Sequence, residues 1–79
     1  MFYVYAIQSL KDKHLYIGIS KNPEKRLKQH NAGMTKSTKP RRPFKIIYEE
    51  SCKDRVNARK REKYFKSGIG REFLKRFIE

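Results

Sequence analysis

Apolar positions follow two different spacings along the chain. Phe2 to Ser9 is rich in β-branched and aromatic residues and contains no Gly or Pro, which predicts a strand. Leu15 to Ile19 predicts a second strand, and the polar turn Lys11-Asp12-Lys13 makes the pair an antiparallel hairpin. Asn22-Pro23-Glu24 reads as a helix start: Asn caps, Pro suits the first helical position, and Glu complements the dipole. This helix is expected to run to about Ala32 and to close on Gly33. Met34 to Pro43 reads as a loop. Phe44 to Glu50 predicts a third strand, with Ile46 and Tyr48 alternating against Lys45 and Ile47. Asp54 is expected to cap a second helix through Lys66, ended by Ser67-Gly68. After Gly70, a last helix is expected over Arg71 to Ile78, burying Phe73, Leu74, Phe77 and Ile78 on one face. The order ββαβαα predicts an α+β fold, a small three-stranded antiparallel sheet flanked by helices. It is expected to form a single domain over residues 1–79.

Charge narrows the range of partners. The 79 residues include 21 Lys and Arg against 8 Asp and Glu, a net charge of +13. Such an excess favours polyanions, nucleic acid first and an anionic membrane surface second. No stretch approaches the roughly 18 apolar residues of a spanning helix, and the N-terminus lacks the apolar core of a signal peptide. A soluble, cytoplasmic protein without a membrane role is therefore expected. One cysteine, Cys52, excludes an internal disulfide, and with two histidines it cannot build a zinc site. It reads as a small buried filler.

Phosphodiester hydrolysis needs a deprotonated water, neutralised phosphoryl charge, a stabilised leaving oxygen and an in-line arrangement. Arg26 and His30 stand four apart and share one helix face. If the strands carrying Tyr5 and Tyr16 lie beneath that face, two phenols, a guanidinium and an imidazole converge. Arg suits an oxyanion because its fork matches two phosphate oxygens and it stays charged. A tyrosine with a pKa near 10 needs a nearby cation to become a useful base. Glu62 is the only acid between Arg55 and Lys66. It is the candidate metal ligand, since Mg²⁺ often takes one or two protein carboxylates. In the loop, Lys36, Lys39, Arg41 and Arg42 have no acid among them and are candidates for phosphate contact, as is Lys25 on the first helix. Gly18 is a candidate for close approach of the substrate.

These residues, in this order, resemble the GIY-YIG nuclease domain, found at the N-terminal end of one component of the bacterial excinuclease and in intron-encoded homing endonucleases. Tyr3-Val4-Tyr5 stands where the first motif would be, with its tyrosine kept as Tyr5. Tyr16-Ile17-Gly18 matches the second motif in full. Arg26 falls at the family's catalytic arginine and His30 at the His or Tyr one turn later. Ala58 to Glu62 resembles the stretch bearing the metal ligand. The likeness is closest to the short stand-alone branch, in which Thr38, Arg41-Arg42 and Pro43 precede the third strand. The resemblance implies a metal-dependent endonuclease acting on DNA in repair or recombination, directed to a structure or lesion. It implies one Mg²⁺ or Mn²⁺ held by Glu62, with Tyr5 or Tyr16 as base and Arg26 stabilising developing charge. The chain departs from the pattern at Tyr3 and Val4, which replace Gly and Ile. The late asparagine of some members has no counterpart, since neither Asn31 nor Asn57 falls at its place.

Plainer readings remain open at this point. Glu62 could pair with Arg59 or Lys66 along its helix. Tyr3 and Tyr48 read as packing residues and His14 as exposed. The charge alone also fits a non-catalytic nucleic-acid-binding module of the same fold or a small RNA-binding accessory protein. No motif specifies an oligomer. The lack of a recognition domain leaves room for a partner protein that supplies specificity.

Overall fold

The alternation along the first strand sets the architecture. In the computed structural model, which describes residues 1–78, β1 (Phe2–Ser9) is the central strand. It pairs antiparallel with β2 (Leu15–Ser20) on one side and β3 (Phe44–Cys52) on the other. Helices α1 (Pro23–Asn31), α2 (Arg55–Lys66) and α3 (Gly68–Leu74) complete an α+β fold of order ββαβαα. Successive side chains of a strand point to opposite faces. Val4 and Ala6 accordingly join Ile17, Ala58, Phe65 and Leu74 in one apolar cluster, on the side of α2 and α3. Tyr5 and Ile7 join Phe44 in another, with Leu27 of α1 packed against it. The sheet thus has a helix layer on each face.

β3 departs from the simple alternation. Ala6 lies opposite Tyr48 while Ile7 lies opposite Ile46, so Ile47 is an extra residue in the ladder. A bulge of this kind shifts the side-chain phase of the strand. Ile46 therefore packs on the α1 side and Tyr48 on the α2 and α3 side, although strict alternation puts them together. Tyr48 is a packing residue, with its ring centroid 5.4 Å from Phe65, 5.4 Å from Phe73 and 5.2 Å from Phe77. Its hydroxyl also donates to Glu50 at 2.8 Å. Glu50 in turn accepts from Arg61 Nε at 2.6 Å and Nη2 at 3.0 Å. The Arg61 guanidinium stacks 4.8 Å from the centroids of Tyr64 and Phe65 on its own helix, and its pairing with Glu50 ties α2 to β3. Cys52 is buried in the same cluster, and burial raises its thiol above the usual range.

Helix ends follow the local chemistry closely. Asn22 Oδ1 accepts from the Lys25 amide and Asp54 Oδ1 from the Asn57 amide, both as N-caps. Gly33, at φ +79°, ends α1: its amide bonds to His30 O and the Met34 amide to Gln29 O. These two bonds make a Schellman closure. The last helix differs from the expected span of Arg71 to Ile78. Ser67 closes α2 and at once caps α3, its hydroxyl accepting from the Gly70 amide. α3 thus begins at Gly68, and a 3-10 turn over Lys75–Phe77 follows it. Gly70 lies inside this helix, and glycine is required there because a Cβ would clash with the Tyr64 carbonyl oxygen. Tyr3 is half-buried, with Ser20 and Ser51 as its cross-strand partners. His14 is exposed. Among the described residues no helix is long and apolar enough to cross a membrane.

Candidate active site

At edge strand β2, residues from both helical layers line one surface. A depression of about 280 Å³ lies there, lined by Tyr5, Tyr16, Gly18 and Ile19 of the sheet, Arg26 of α1, and Arg55, Arg59 and Glu62 of α2. The sheet, α1 and α2 thus bring together the four side chains singled out from the sequence. Gly18 permits this closeness. It is buried opposite Tyr5, and a Cβ there would lie 2.5 Å from the Tyr5 hydroxyl. The close approach at Gly18 is made by the Tyr5 ring.

His30 does not line the depression; it lies behind Tyr5 and is fully buried. Its Nε2 is 3.1 Å from Tyr5 Oη and its Nδ1 is 2.8 Å from Thr38 Oγ1. The Tyr16 ring meets it edge-on at 5.0 Å. With both nitrogens engaged, His30 has no lone pair to offer a metal. Burial lowers its pKa below the ordinary 6.5, and the Arg26 charge lowers it further, so the ring is neutral near pH 7. Burial raises the Tyr5 phenol above its ordinary 10.0, while Arg26 pulls it back. Arg26 is held in turn by a 2.7 Å bond from Nη1 to Gln29 Oε1.

Glu62 shares the depression with the phenols and Arg26. It also meets Lys66 at 3.4 Å, one of the two plain pairings open to it from the sequence. A half-exposed pair of this type is weak and leaves the carboxylate free to exchange partners. Among the described residues no group of three or more His, Cys, Asp or Glu could hold a metal ion. Glu62 is the only acid lining the depression. One carboxylate beside two phenols and open space fits Mg²⁺ or Mn²⁺, which keep most of their ligands as water or substrate oxygen.

The basic loop is elsewhere. Lys36, Lys39, Arg41 and Arg42 do not line the depression, and neither does Lys25. A 3-10 turn over Lys39–Arg41 lays the loop against the β1–β2 turn. There Arg41 pairs with Asp12 at 3.7 Å and Lys11 Nζ donates to Pro40 O at 3.4 Å. Arg41 is thus partly committed to the fold, while Lys36, Lys39 and Arg42 are exposed. Arg55 and Arg59 join the site without having been singled out from the sequence. They precede Glu62 by seven and three residues, and that helical spacing is the signal that marks them. Asn31, a spare asparagine by sequence, has a structural task. It binds the backbone of Phe44 twice, accepting at 2.6 Å and donating at 3.1 Å, and so ties α1 to the start of β3.

Relatives match between about three quarters and nearly all of this chain. A family model described as the GIY-YIG catalytic domain matches residues 1–72. A UPF0213 protein of Staphylococcus haemolyticus is 38% identical over 78 residues, covering 98% of this chain and 94% of that protein. One from Bacillus licheniformis is 41% identical over 78 residues, 98% of this chain and 78% of that protein. One from Desulfotalea psychrophila is 40% identical over 63 residues, 77% of this chain and 56% of that protein. No solved structure matches the chain. The chain belongs to the GIY-YIG catalytic domain family, whose domains are typically nucleases.

Proposed function

We propose that this chain is a metal-dependent endonuclease that hydrolyses phosphodiester bonds in cytoplasmic DNA, directed to a structure or lesion during repair or recombination. The observation that carries this reading is the gathering of Tyr5, Tyr16, Arg26 and Glu62 on one depression. Tyr5 serves as the base because it alone of the two phenols has a proton acceptor behind it, the neutral ring of His30 at 3.1 Å. The Tyr5 oxygen takes a proton from the attacking water as its own proton passes to His30 Nε2. Tyr16, half-buried at the same wall, orients that water. Arg26 binds the phosphoryl oxygens and stabilises the charge that develops on them. Glu62 holds Mg²⁺ or Mn²⁺, which when bound neutralises charge on the phosphate and the leaving oxygen. Arg55 and Arg59 hold the neighbouring stretch of backbone, and the exposed Lys36, Lys39 and Arg42 extend the grip. A partner protein supplies target choice beyond this small surface.

The test is incubation of purified protein with supercoiled plasmid, branched duplexes and structured RNA, in Mg²⁺, Mn²⁺ or EDTA. Cutting of a DNA substrate in either metal, abolished by EDTA, is expected. Binding in EDTA is expected to weaken with salt by close to one unit of log–log slope per phosphate contact. Salt-sensitive binding without cutting of any substrate would show a binding module instead. Far tighter binding of RNA than of duplex DNA at matched salt would favour an RNA-binding role.

A further inference from the structure

Thr38 is a buried hydroxyl in a loop whose neighbours are solvated. It is 2% exposed, while Lys36, Ser37, Lys39 and Pro40 are all exposed. Burying a hydroxyl is costly unless it is hydrogen-bonded, and Thr38 makes two such bonds. Its Oγ1 donates to the Thr35 carbonyl at 3.3 Å and lies 2.8 Å from His30 Nδ1. A hydroxyl has a single proton. Given to the Thr35 carbonyl, that proton would leave Oγ1 to accept from His30, with the imidazole proton on Nδ1. The Nε2 lone pair would then face the Tyr5 hydroxyl. In that arrangement donors and acceptors run in one direction, from the Tyr5 phenol through the His30 ring to Thr38 and the Thr35 carbonyl.

We propose that Thr38 is a positioning residue that fixes His30 in the Nδ1-protonated tautomer, so that Nε2 is free to take the Tyr5 proton. This rests on Tyr5 acting as the base. The opposite tautomer would already carry a proton on Nε2 and would block the transfer. Thr38 caps the turn Lys39–Arg41, with the Lys39 and Thr38 amides both bonded to the Thr35 carbonyl. The same loop therefore presents exposed Lys36 and Lys39 to solvent and holds the hydroxyl that orients His30. The proposed phosphate grip and the residue that orients the proton acceptor are built into one segment.

The experiment reads the tautomer by ¹⁵N NMR of the histidine rings near pH 7.5 in full-length protein. The chain has two histidines, and exposed His14→Gln assigns the His30 signals. The expected result is Nδ1 protonation in the wild type and in Thr38→Ser, and a shift toward Nε2 protonation in Thr38→Val. Cleavage by Thr38→Val is expected to lose about tenfold or more in kcat, with KM near wild type and Thr38→Ser restoring the rate. A wild-type ring protonated on Nε2 would overturn the inference, and this outcome needs no variant to fold. An unchanged tautomer with an unchanged rate in Thr38→Val would overturn it too. If the tautomer shifts as expected but no form of the protein cuts, the placement of Thr38 stands and the endonuclease reading fails.

Discussion

The two faces of β1 are built from alternate residues of one strand and are stabilised in different ways. On the α2 and α3 side, Val4 and Ala6 meet Phe65, Phe73 and Leu74 in a core of apolar and ring contacts. Its polar groups, Glu50 and Arg61, are paired at the margin. On the α1 side, the buried layer includes a phenol, an imidazole and a threonine hydroxyl joined by hydrogen bonds. Apolar packing tolerates small rearrangements of volume, whereas a hydrogen-bonded row is sensitive to the loss of any one member. The first face anchors the domain, and the second holds its chemical groups in a fixed orientation.

That contrast can be broken on either side. The largest expected effect on folding is from Phe65→Ala, which removes a 1% exposed ring at the centre of the anchoring face. It is expected to cost about 3–5 kcal/mol, most of the stability of a domain this small, as read by urea denaturation. Tyr5→Phe tests the other face. It removes one oxygen and is expected to cost about 1–3 kcal/mol by leaving His30 Nε2 without its hydrogen-bond partner. Its effect on cleavage is expected to be much larger, a loss of about 100-fold or more in single-turnover rate. A Tyr5→Phe protein that cuts at the wild-type rate would erase the distinction between the faces.

Acid should affect the two faces in sequence. His30 has a folded-state pKa below its ordinary 6.5, so the unfolded chain binds more protons in the window just beneath that value. Stability is therefore complete above pH 6.5 and falls as the pH drops toward the lowered value. Glu50 is held below its ordinary 4.5, first by the hydrogen bonds from Arg61. Its contribution is present above pH 4.5 and is lost as the pH falls through the lowered value. Unfolding free energy measured against pH is expected to decline first on account of the α1 face and later on account of Glu50. His30→Gln is expected to remove the earlier decline and Glu50→Gln to diminish the later one. A profile that stays flat as the pH falls below 6.5 in the wild type would contradict the burial of a neutral His30.

Helix ends were legible in the sequence because they depend on local chemistry, as Asn22, Gly33 and Asp54 show. The gathering of Tyr5, Tyr16, Arg26 and Glu62, distant from one another in the chain, was expected from the resemblance to the GIY-YIG domain. Features that depend on distant partners were less legible. The extra residue Ile47 shifts the phase of β3 without altering its hydrophobic pattern. Ser67-Gly68 signals a stop, yet Ser67 also starts the next helix. Thr38 and Asn31 find their partners 8 and 13 residues away, across a loop that looks wholly solvated. The loop cations group together by charge, and only the folded chain shows Arg41 tied to Asp12 and Arg55 and Arg59 lining the depression in place of the loop.

Glu62→Gln tests the proposed chemistry most directly, because the change keeps shape, removes only a charge and disturbs a single weak pairing with Lys66. Cleavage of a DNA substrate in Mg²⁺ or Mn²⁺ is expected to disappear, while the melting temperature and the affinity measured in EDTA stay near wild type. Metal-dependent cutting by Glu62→Gln at the wild-type rate would contradict the role given to this carboxylate and the hydrolytic centre built around it.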